Sequence, residues 1–181
     1  MARTGTPRST AQAFVDHLNV VLNGTITDAR LSLLAVPSDE SAFEITRLVD
    51  DVRAPLELFG SSLRLFVRHT IVVVDGHCQT ESYGYRLESS AEAGSWLLRW
   101  EYFRDVPRPD YVYPLAHLHV NGAFAPDGAP IDSLHIPTSR VPLESVVWHA
   151  IAESEVTPRR NDWRRFLGES VAGFHERRTV H

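Results

Sequence analysis

The chain has 181 residues, 43% of them hydrophobic and 23% charged, with a formal net charge of −5. This size suits one ordinary core rather than two domains, and this charge gives the molecule no general attraction to nucleic acid. All 18 basic residues are Arg, so lysine Schiff-base and lysine general-base chemistry are excluded, and a single Cys78 excludes an intrachain disulfide and a cysteine-rich zinc site. One free thiol fits a reducing compartment. The stretch Met1 to Arg8 lacks the apolar core of a signal peptide, and runs such as Ile71 to Val74 are far too short to cross a bilayer. The expectation is a cytoplasmic protein with no membrane partner.

Residues 1–8 read as a disordered leader. Ser9 or Thr10 can then cap a helix whose apolar positions Ala11, Phe14, Val15, Leu18, Val21 and Leu22 recur at spacings of three and four. Asn23-Gly24 supplies its stop. Ala29 to Val36 looks like a short strand ended by Pro37. Ser41-Ala42-Phe43-Glu44 matches a capping box, and Ile45, Leu48, Val49 and Val52 continue at helical spacing, which predicts a helix ending before Pro55. A strand through Phe43 to Leu48 competes with it.

From Leu56 the texture changes. Leu56 to Phe59, Leu63 to Val74, Cys78 to Leu87 and Trp96 to Phe103 are rich in β-branched and aromatic residues, with Asp75-Gly76 and the polar stretch Ser89 to Ser95 as turns. They predict an antiparallel meander. Arg104 to Pro114 holds three prolines and reads as a loop before a strand over Leu115 to Val120. Asn121-Gly122 then favours a reversal into Ala123 to Ala125, with another loop over Pro126 to Pro130. Pro142 can open a helix to about Glu155, and Trp163, Phe166, Leu167, Val171 and Phe174 mark a face of a last helix over Asn161 to Arg177. The expected fold is α+β: a single domain over 9–155 with a central antiparallel sheet flanked by N-terminal and C-terminal helices, and 156–181 as a basic amphipathic helix packed on it.

The chemistry concentrates in His117-Leu118-His119, with His135 following. Two imidazoles at i and i+2 on a strand share one face, and imidazole is the side chain whose ordinary pKa lies nearest neutrality. Such a pair can move protons or bind metal. With His135 added it offers three ligands to a divalent metal such as zinc, although no oxygen ligand stands at a diagnostic spacing, since Asp110, Asp127 and Asp132 are ordinary loop acids. Satisfied structural histidines are the plain alternative.

Arg99 and Glu101 share one face of their strand. They form either an exposed pair worth under ~1 kcal/mol or, in a cleft, an anion clamp beside a general base. Tyr83 and Tyr85 also share a face, to stack on bases or to pack in the core. Six Arg against three acids between Thr157 and His181 could meet RNA phosphates or an acidic partner, or simply solvate a helix face.

The order Tyr83-Gly84-Tyr85-Arg86-Leu87, Leu98-Arg99-Trp100-Glu101-Tyr102, His117-Leu118-His119-Val120 and a helix from Pro142-Leu143-Glu144 resembles the small TumE-type family, toxins of prokaryotic toxin–antitoxin pairs. The resemblance spans residues from about 63 to 155 and implies an antitoxin-like protein partner, with Arg99, His117 and His119 as site candidates. Beside it, the residues themselves support a metal-independent, ribonuclease-like scheme. His117 and His119, with Glu101, would exchange protons with RNA while Arg99, Tyr83 and Tyr85 bind it, and no cofactor is needed. A three-histidine metal protein and a non-enzymatic partner-binding domain remain open.

Overall fold

The computed structural model describes residues 6–89, 95–121 and 134–176. Helix α1 (Pro7–Thr25) begins about one turn earlier than Ser9 and Thr10 suggest: Thr6 is the cap, its side chain accepting from the Ser9 N–H at 3.2 Å, and Pro7 fills the first helical position. Pro7 and Arg8 therefore belong to the helix rather than to a leader. Ala11, Val15, Leu18, Val21 and Leu22 are buried as the periodicity requires.

Strands β1 (Ser32–Val36) and β2 (Asp39–Thr46) follow, and here the predicted helix over 41–54 is overturned. Ser41 does not cap a helix; its N–H and hydroxyl both donate to the Asp39 carboxylate, at 2.8 and 2.7 Å, as the strand begins. Glu44, the would-be partner in a capping box, instead accepts from Arg53 at 2.6 Å and Arg68 at 2.9 Å. From Ala42 to Thr46 β2 is buried on both faces, so its apolar residues show no clean alternation and imitate helical spacing. A small hairpin, β3 (Leu48–Val49) and β4 (Val52–Arg53), turns through Asp50 and Asp51, both at positive φ, the conformation of a type I′ turn.

The meander appears as expected: β5 (Leu56–Glu57), β6 (Arg64–Val74), β7 (His77–Glu88) and β8 (Trp96–Phe103), with Asp75 and Gly76 at positive φ in the β6–β7 turn. β9 (Ala116–Val120) and β10 (Ile136–Pro137) complete an antiparallel sheet ordered β1-β2-β6-β7-β8-β9-β10, with β5 added beside β6. Pro137 fits because β10 is an edge strand. Helices α2 (Leu143–Glu153) and α3 (Trp163–Glu176) pack with α1 and with each other. The predicted reversal beyond Asn121, the segment 123–130, Asp127, Asp132, Arg177 and Arg178 lie outside the described residues, as do the side chains of Phe174 and His175.

The architecture is therefore α+β with one core. Alternation along the strands sorts the sheet into two faces. One carries Phe43, Ile45, Leu65, Val67, Tyr83, Tyr85, Leu87 and Trp100 into the core with α1 and α2. The other carries Glu44, Arg68, Gly84, Arg86, Arg99, Glu101, His117 and His119.

Candidate metal centre

Strand register assembles the site. Arg99 lies directly opposite His119, and Glu101 directly opposite His117, so four polar side chains share one face of the β8–β9 ladder. β10 pairs Pro137 with His117 and Ile136 with Leu118, and the alternation then brings His135 to the same face. The three imidazole rings lie with centroids 4.7, 4.9 and 4.3 Å apart, and one ring nitrogen from each lies within 4.8 Å of the other two. Sequence spacing could not supply an oxygen ligand; the neighbouring strand does. One oxygen of Glu101, Oε2, is 3.2 Å from Nε2 of His117 and 3.1 Å from Nε2 of His119.

The surrounding contacts fix the donors. The Pro114 carbonyl lies 2.7 Å from Nδ1 of His117 and can only accept, so that nitrogen donates and Nε2 is the one turned toward Glu101. Nη2 of Arg99, which can only donate, lies 3.1 Å from Nε2 of His119, the same nitrogen that faces Glu101. Two imidazole Nε2 atoms and a carboxylate oxygen thus converge, while Nδ1 of His119 is buried with no hydrogen-bond partner among the described residues. Burial pushes the Glu101 carboxyl up, but the His119 hydrogen bond and the charges of Arg99, His119 and His117 outweigh it and hold the group below its ordinary value.

His117 and His119 are only 1% and 2% exposed, so the pair does not look at open solvent. The access is an open cleft formed by Glu101, His117 and His135 with Phe103, Arg108, Tyr111 and Tyr113. The proline-rich loop supplies its wall and also orients the donors: Tyr113 stacks flat on His135, centroids 3.6 Å apart at 7°, and the Pro114 carbonyl holds His117. Nothing in the loop's composition announced either duty.

No protein-family model, curated protein or solved structure matches this chain. Nothing in those comparisons bears on the resemblance to the TumE-type family.

The other sequence candidates fall elsewhere. Tyr83 and Tyr85 do not join Arg99: they are buried on the opposite face, stacked on each other at 4.4 Å, because they pair with Tyr102 and Trp100. The Tyr83 hydroxyl accepts from the Val141 N–H at 2.7 Å, and that of Tyr85 meets Nδ1 of the buried His69 at 3.0 Å. The C-terminal arginines are engaged locally. Arg159 pairs with Asp28, Arg160 and Arg165 with Asp162, and Arg164 lies over the Trp163 ring. Burial pushes the Cys78 thiol up to about 11, away from nucleophilic use.

Sequence reading did not join Ser170, His17 and Glu144, which meet between helices. The Ser170 hydroxyl donates to Glu144 at 2.8 Å and lies 3.2 Å from Nε2 of His17. Glu144 contacts that same nitrogen at 3.3 Å, so the acid does not sit behind the ring as a hydrolytic triad requires.

Proposed function

We propose that the protein is a metalloprotein that holds one first-row divalent ion, zinc by the chemistry of the donors, on His117, His119, His135 and Glu101. The metal serves hydrolysis of a substrate bound in the adjoining cleft. The observation that carries this reading is the convergence of two Nε2 atoms on Oε2 of Glu101 at 3.2 and 3.1 Å, beside a third imidazole. Donors that share a zinc ion each lie about 2.0–2.2 Å from it, and hence roughly 3–3.5 Å from one another. A ring Nδ1–H committed to a backbone carbonyl, as in His117, is the usual way a metal-bound imidazole is held with Nε2 forward. A cation in the gap would take a lone pair from each ring and from the carboxylate oxygen together.

Such an ion would lower the pKa of a bound water toward neutrality and polarise a substrate oxygen. The cleft over Glu101, His117 and His135 gives the substrate its approach. A metal-free scheme, with His117 and His119 as base and acid toward RNA, is less well served. Both Nε2 atoms face Glu101 rather than a ligand, and both rings are almost wholly covered.

The test is elemental analysis of protein purified without a histidine tag. About one equivalent of metal is expected in the wild type, with loss in His117→Ala and His135→Ala. Less than about a tenth of an equivalent in the wild type overturns the reading.

A further inference from the structure

Resting on the metal reading for the chemistry that follows, we infer that the group this centre takes is a phosphoryl oxyanion, bound between Arg86 and Arg99 on the β7–β8 side of Glu101. Arg86 and Arg99 lie directly opposite each other on adjacent strands. Like charges in that relation repel, and each has one carboxylate to offset it, Glu88 for Arg86 and Glu101 for Arg99. Each has a buried Nε–H that makes no hydrogen bond among the described residues, that of Arg99 having only a loose ionic contact with Oε1 of Glu101 at 3.5 Å. Two unspent guanidinium donors on neighbouring strands are what a bidentate oxyanion satisfies.

Both forks are already held in place by their other contacts. The Arg86 guanidinium lies 4.4 Å from the centre of the Phe66 ring, and its Nη2 is 3.2 Å from Glu88. Arg99 is held by His119 at 3.1 Å and by Glu101 at 3.5 Å. The approach is open as well. Gly84 pairs with Glu101 on one side and Arg68 on the other, and a Cβ built there would meet no atom within 4 Å. A residue with a side chain at this point would stand in the path to Arg99 and Glu101.

Charge and reach select the phosphoryl group. A divalent ion and Arg99 set against Glu101 leave two positive charges, with Arg86 balanced by Glu88; a phosphate monoester dianion cancels them and a carboxylate only halves them. Nη2 of Arg99 is 3.1 Å from the very nitrogen of His119 that would bind metal. Once the metal takes that lone pair, the Nη2–H needs a new acceptor, and a phosphoryl oxygen on the metal lies within its reach.

The experiment is calorimetric titration of the metal-loaded, untagged protein with inorganic phosphate, and with acetate as the monoanion, alongside metal analysis of each sample. Phosphate is expected to bind at least about tenfold more tightly than acetate. It should bind about tenfold or more weakly in Arg99→Gln and in Gly84→Val, with the metal retained in both. If Arg99→Gln fails to fold, Gly84→Val decides alone, since its new side chain enters open space. Unchanged phosphate affinity in Gly84→Val, acetate bound as tightly as phosphate, or no phosphate binding by protein that holds its metal would each overturn the inference and leave the metal reading intact. Phosphate binding by protein that holds no metal, weakened by Gly84→Val, would support the anion site and remove the metal reading instead.

Discussion

Stripping the metal is the perturbation that reaches furthest into this fold. Glu101 on β8, His117 and His119 on β9 and His135 beside β10 would all be tied through one ion, so the whole far edge of the sheet is expected to respond. A ligand that binds only the folded state at a hundred times its Kd stabilises by about 2.7 kcal/mol. For a domain of this size each kcal/mol moves the melting temperature by about 2–4 °C, so excess chelator should lower it by about 5–11 °C. Added zinc should restore it. His135→Ala is the matched control, because His135 is only partly buried and sits at an edge, where truncation disturbs little packing. Its melting should be insensitive to chelator. Differential scanning fluorimetry with and without chelator reads both proteins, and a wild type that ignores chelator, or a His135→Ala that falls just as far, refutes the reasoning.

Three further outcomes can be checked on the same protein. Tyr85→Phe leaves Nδ1 of the buried His69 without its partner and should cost about 1–3 kcal/mol in urea unfolding; a loss under about 0.5 kcal/mol would contradict it. His69 is pushed down to about 3, chiefly by burial and further by Arg140, with Glu144 opposing. It stays neutral in the folded state and takes a proton near its ordinary 6.5 when unfolded, so its contribution is complete above that pH and drains away as pH falls from 6.5 toward 3. The stability gap between wild type and His69→Leu should therefore shrink by up to about 1.4 kcal/mol per pH unit across that window, and a constant gap speaks against it. Finally, a Cβ on Gly60 would stand 2.5 Å from the Thr157 hydroxyl at a φ of +64°, whereas Gly76 at +80° meets nothing, so Gly60→Ala should destabilise more than Gly76→Ala. Equal melting temperatures for the two would show that backbone strain alone is felt.

Much of this architecture could be read from local pattern because local pattern decided it. The apolar stripe of α1, the Asp75-Gly76 turn and the alternation of β6 to β9 each express a period that their final surroundings leave undisturbed. Residues 41–46 fail for the opposite reason: Phe43 and Ile45 face the core while Glu44 and Thr46 are also covered on the other side, so the strand shows no clean alternation and mimics a helix. At the site, His117 and His119 were legible from their spacing of two. Glu101 was legible as half of a salt pair or as a general base, but not as a ligand, since its place opposite His117 depends on the β8–β9 register. The Pro114 carbonyl, the Tyr113 ring on His135 and the unspent Nε–H groups of Arg86 and Arg99 left no trace in residue order. Tyr83 and Tyr85 could be read either as a stacking platform or as core, because alternation says which residues travel together, not which side of the sheet receives them; the structure puts them in the core.

That sheet acts as a partition. The helices and nearly all the aliphatic packing occupy one side, and every donor assigned to the metal stands on the other. Evolution or engineering could therefore exchange the ionic furniture of Arg86, Arg99, Glu101 and the imidazoles while the scaffold keeps its strength, and could harden the scaffold without retuning reactivity. Leu118, wedged between the two histidines but pointing to the apolar side, is the thin wall through which the two economies would first be felt to touch.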